Sequence, residues 1–64
     1  MESTQTLIRR AASNVGGVKA LADKLGVTRA AIYAWSRIPA ERVIPVEALT
    51  GISRHELRPD LYPE

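Results

Sequence analysis

A chain of 64 residues with a net charge of +2 and no cysteine makes one domain, over residues 1–64, that buries only about 60% of the surface its unfolded form exposes. Such a core leaves little room for an enclosed catalytic pocket, and neither a disulfide framework nor a cysteine-ligated zinc supports it. The start MESTQTLIRR lacks the basic, then apolar, layout of a signal segment, and no apolar run reaches membrane-spanning length, which predicts a cytoplasmic protein with no membrane contact.

The apolar spacing is helical throughout, and strand alternation is weak. Leu7, Ile8, Ala11, Ala12 and Val15 share one face of a first helix, expected from about Thr4 to Ser13 and ended by Gly16-Gly17. Val18, Leu21, Ala22 and Leu25 repeat at i, i+3, i+4 and i+7 in a short second helix, closed by Gly26 as the left-handed residue past its end. Thr28 suits the N-cap of a third helix, with Val27 and Ile32 at the spacing of a hydrophobic staple; this helix is expected to run to about Arg37.

Pro39 predicts a short helical turn to about Val43. Pro45 predicts the start of a further helix to Thr50, kinked or split from that turn. After Gly51, Ser53 reads as a cap, Ile52 and Leu57 as a staple, and Glu56 as the partner in an S-x-x-E capping box for a fifth short helix. Pro59 and Pro63 stop that helix, so the tail over 59–64 is expected to be extended.

The break at Gly26 gives the pattern its meaning. Two helices joined by a tight turn can brace one behind the other and push the second outward, which is a helix-turn-helix, here over about 18–37. A small residue is needed where the backbones approach, and Ala22 supplies it. Apolar residues are needed on the inner side of the second helix, and Ile32 and Trp35 supply them. The outer side offers Arg29, Ala30, Tyr33, Ala34 and Arg37, with Thr28 at its start. Arginine pairs bidentately with guanine, and alanine or a threonine methyl meets the thymine methyl in a major groove wide enough for a helix. Arg29, in the first turn, is the first choice for base readout; Tyr33 suits a base or sugar, Arg37 a phosphate. Lys19, beside the amides that open the second helix, suits backbone phosphate.

Charge is unevenly placed. Arg9 to Arg42 holds seven bases against two acids, a net +5, while residues 43–64 hold two bases against four acids, and Glu2 is the remaining acid. That local field favours a polyanion such as nucleic acid. The later stretch LTGISRHEL echoes KLGVTRAAI, but Glu47 stands where the small residue belongs and Pro59 shortens its second helix, so only the first copy reads as a DNA-binding unit. Trp35 reads as core. His55 has no histidine or cysteine beside it to build a metal set, and no nucleophile or paired carboxylate for catalysis, so it reads as a surface residue. Arg58, Pro59, Asp60 and Tyr62 read as a lock on the fifth helix or a dimer contact. Val43, Ile44, Leu61 and Tyr62 are candidates for a dimer surface or for core.

The runs GGVKALADKLGVTRAAIYAWSR and IPAERVIPVEALTGISRHELRPDLYP resemble the Cro-type phage repressors and the YdaS-like prophage proteins, sometimes labelled antitoxins, across nearly the whole chain. The resemblance implies an all-α, lambda-repressor-like domain of five short helices. It also implies a sequence-specific repressor that binds double-stranded operator DNA as a homodimer, while the residues themselves offer no constellation for enzymatic activity, and no cofactor or small-molecule ligand is expected. It carries base contacts onto Thr28, Arg29, Ala30, Tyr33 and Arg37. The alternative that it leaves open is an antitoxin that neutralises a partner toxin.

Overall fold

The computed structural model describes residues 3–63, so Met1, Glu2 and the last residue of the tail, Glu64, lie outside it. The described chain forms α1 (Thr4–Val15), α2 (Val18–Leu25), α3 (Arg29–Tyr33), a 3₁₀ turn (Ala40–Arg42), α4 (Val43–Thr50) and α5 (Arg54–Leu57), with no strand among the described residues. Helix α1 packs on α2 and α4, α2 on α3 and α4, and α4 on α5.

Ser3 opens α1 by accepting a hydrogen bond from the Thr6 amide at 3.2 Å. The helix runs to Val15 rather than stopping near Ser13, because Val15 still packs against the core; Gly17 then returns its N–H to the Ala12 carbonyl at 2.7 Å. At φ 120° and ψ 168°, Gly17 occupies a region open essentially to glycine alone, which lets α2 start at once in a new direction. Helix α2 buries Leu21, Ala22 and Leu25 and ends at Gly26, φ 74°. The Val27 amide closes the end on the Ala22 carbonyl at 3.0 Å, and Val27 packs on the core. The Arg42 guanidinium also donates to the Leu25 carbonyl at 3.1 Å, satisfying an acceptor that the helix end leaves open.

Helix α3 is shorter than its apolar spacing suggests: it ends at Tyr33, so Arg37 is not on it. The physical reason lies in Ile38, which is 1% exposed. In a continued helix Ile38 would stand six residues past the buried Ile32, about 120° away around the axis and pointing off the core. The chain therefore leaves the helix so that Trp35 and Ile38 can both turn inward. Two distant bonds fix this exit: Thr4 donates to the Ser36 carbonyl at 2.8 Å, and Arg58 to the Ile38 carbonyl at 2.7 Å.

The 3₁₀ turn joins α4 directly at Val43, whereas the sequence places the helix start at Pro45. Proline is accommodated because it is the third residue of α4, where an amide has no intrahelical partner to lose. Val43 and Val46 are buried on the inner side, and Thr50 closes the helix by donating to the Val46 carbonyl at 2.7 Å.

At α5 the Ser53 hydroxyl accepts from His55, but the expected capping box is absent: the Glu56 carboxylate takes Arg10 at 3.0 Å instead. Glu47 supplies the missing cap from α4, accepting the Arg54 amide at 2.7 Å. The tail is not extended either. Leu61 and Tyr62 both donate to the Arg58 carbonyl, and the Tyr62 carbonyl meets His55 Nδ1 at 2.7 Å. His55 thus pins the tail, which the sequence alone did not indicate.

Candidate nucleic-acid interface

Local chemistry fixes the start of α3. The Thr28 hydroxyl oxygen accepts the Ala31 amide at 3.0 Å, leaving its O–H as a free donor and its methyl exposed. Ile32, at 0% exposure, anchors the inner side. Arg29, Tyr33 and Ala30 stand about 60°, 100° and 160° around the axis from Ile32, and all three are exposed, Tyr33 to 57%. The structure therefore brings Thr28, Arg29, Ala30 and Tyr33 together on one outward surface braced from behind by α2.

Two further candidates lie apart from that surface. Lys19 is exposed in the first turn of α2, whose N-cap, Gly17, has no side chain to satisfy the opening amides. Arg37 sits in the bend after α3, and its guanidinium lies 3.7 Å from the Asp60 carboxylate. Asp60 also accepts a bidentate pair from Arg58, at 2.9 and 2.7 Å. That hydrogen-bonded guanidinium is the main reason the Asp60 carboxyl is lowered from its ordinary 3.8 to about 2. No signal in the sequence links Arg37 to Asp60, because the contact depends on where the tail turns back.

The cationic stretch from Arg9 to Arg42 is not uniformly available. Arg10 is engaged with Glu56, Arg37 with Asp60 and Arg42 with the end of α2. Neither Arg29 nor Lys19 forms an ion pair among the described residues. In free solution these ammonium and guanidinium groups face only water, so a phosphate or base edge meets them without displacing an internal partner. No group of three or more His, Cys, Asp or Glu among the described residues is placed to hold a metal ion, and no helix is long and apolar enough to cross a membrane.

A short helix ended by a left-handed glycine, a capped second helix and an outward polar surface define a helix-turn-helix of the DNA-binding, Cro-type class. The family described as "Bacterial toxin YdaS" matches residues 8–64, and the chain belongs to that family. Among solved structures it is similar to the Cro protein from the putative prophage element Xfaso 1 in Xylella fastidiosa strain Ann-1. Identity is 42% and the TM-score 0.83, covering 89% of this chain and 95% of that one. No curated protein sequence matches.

Proposed function

We propose that the chain is a sequence-specific transcriptional repressor that binds operator DNA as a homodimer, each copy laying α3 in the major groove. The observation that carries this reading is the contrast within α3: a fully buried Ile32 fixes the helix while Thr28, Arg29, Ala30 and Tyr33 all stand exposed around it. Arg29 reads a base edge, with Thr28, Ala30 and Tyr33 completing the surface. Lys19 holds backbone phosphate beside the open amides of α2, and Arg37, from the bend beyond α3, does so by giving up its 3.7 Å approach to Asp60. The chain acts as a single cytoplasmic domain over 1–64, without cofactor. Likeness to the Xfaso 1 Cro protein supports the regulatory reading; the family description speaks of a toxin, and a partner-binding role as an antitoxin has less on this surface to support it.

Selection of bound fragments from host and phage genomic DNA tests the proposal. The expected result is enrichment of twofold-symmetric sites whose halves lie about one helical turn, 34–36 Å, apart. Recovery of no preferred sequence, with capture of a neighbouring gene product in a pull-down, would overturn it.

A further inference from the structure

The tail sets an acid beside one cation of the candidate interface, and several bonds hold it there. The Arg58 guanidinium, its side chain 11% exposed, donates through Nη1 to the Ile38 carbonyl at 2.7 Å and through Nε and Nη2 to the two Asp60 carboxylate oxygens at 2.9 and 2.7 Å. One side chain thus grips both the backbone next to Arg37 and the carboxylate of Asp60. Pro59 fixes φ between Arg58 and Asp60, and the Leu61 and Tyr62 amides fold the chain back onto the Arg58 carbonyl. Asp60 Oδ2 then stands 3.7 Å from Arg37 Nη1. Of the basic side chains assigned to DNA, Arg37 alone meets an acid among the described residues; Lys19 and Arg29 meet none.

Stability does not account for this contact. Arg58 already matches the Asp60 charge, and the Arg37 and Asp60 side chains are 67% and 50% exposed at a separation beyond a hydrogen bond. Exposed pairs of that kind add little to folding. The Asp60 carboxyl is lowered to about 2, chiefly by the Arg58 hydrogen bonds with the Arg37 charge adding to them, so it stays ionised throughout the neutral range. A fixed carboxylate offers a guanidinium the same kind of anionic oxygen partner as a phosphate.

We infer that Asp60 is a built-in competitor of the DNA backbone: in the free chain it engages Arg37 where a phosphate would, and Arg37 leaves it only when a duplex takes its place. The inference deepens the phosphate contact of the functional reading and rests on it. Arg58 keeps Asp60 paired after Arg37 departs, so the exchange strands no charge and its effect on affinity is a few-fold. Because phosphate carries no sequence information, the competition weakens the hold on every duplex alike. It lowers unspecific binding and leaves the base contact of Arg29 untouched.

Fluorescence anisotropy on a random-sequence duplex at low salt reads the competition in four full-length chains: wild type, Asp60→Asn, Arg37→Ala and the double variant. Asp60→Asn is expected to tighten binding about two- to fivefold. That gain should largely vanish in the Arg37→Ala background and should shrink as salt rises. Weaker binding of Asp60→Asn would make Asp60 a support that orients Arg37, and an equal gain without Arg37 would reduce its effect to net charge; either overturns the inference. A measurement on the wild type guards against a tail loosened by the substitution. In side-chain NMR the Asp60 carboxyl and Arg37 guanidinium signals are expected to shift together as the duplex is added, and an Asp60 signal that stays fixed at saturation overturns the inference as well. A wild type without affinity for any duplex sinks the DNA-binding reading too, whereas every other adverse outcome leaves that reading standing.

Discussion

Arg29 and Arg37 show how the same side chain takes different parts according to what stands beside it. Arg29 has no ion-pair partner among the described residues, whereas Arg37 already faces a carboxylate at 3.7 Å. Truncating Arg29 to alanine is expected to weaken binding to the selected site by about 1–3 kcal/mol and to relax preference at one base pair. Competition binding on specific and random duplexes reads this; equal loss on both would place Arg29 on phosphate. Asp60 carries a pH prediction. Its carboxyl is lowered to about 2 by the Arg58 hydrogen bonds, so folding favours the ionised form. That contribution is complete above the ordinary 3.8 and is lost as pH falls towards 2. The stability difference between wild type and Asp60→Asn should shrink across that interval. A carboxyl NMR titration with an ordinary midpoint would contradict it.

Some element boundaries in this chain are set by local chemistry and others by tertiary demands. Gly16, Gly26, Gly51, Thr28 and Ser53 mark boundaries that can be read directly, since each residue type fits its backbone position or caps the amides that follow. The end of α3 could not be read this way. It is set by the burial of Ile38 and by bonds from Thr4 and Arg58, thirty-two and twenty residues away in sequence from the carbonyls they hold. The lost capping box at α5 has the same origin: Glu56 fits the local motif, but Arg10 on α1 claims its carboxylate. The outward residues of α3 were legible because they depend only on helical periodicity and on the apolar side opposite; the separate placement of Arg37 was not. Gly26 tests the turn itself. A Cβ there meets nothing within 4 Å, so Gly26→Ala carries the cost of the positive φ alone, an expected loss of about 1–2 kcal/mol in chemical denaturation. A loss near zero would mean that the turn relaxes to another conformation.

The whole molecule divides its charges between holding itself together and facing outward. Arg10, Arg42, Arg54 and Arg58 fasten one element to another, while Lys19 and Arg29 remain available. Net charge is therefore a poor guide to the strength of DNA binding, and salt dependence a better one. Lys19→Ala is expected to lower affinity to a similar degree on all duplexes and to make the salt slope shallower by about one; an unchanged slope would remove Lys19 from the phosphate contacts. The brevity of α3 sets a further limit. Five residues of helix extend about 7.5 Å, the length of two or so stacked base pairs at about 3.4 Å each. A word so short recurs within every few turns of any genome, and one copy alone has no unique address to find. In the homodimer we propose, discrimination belongs to the distance at which two such words are read together, and a chain with so small a probe gains its vocabulary from its neighbour.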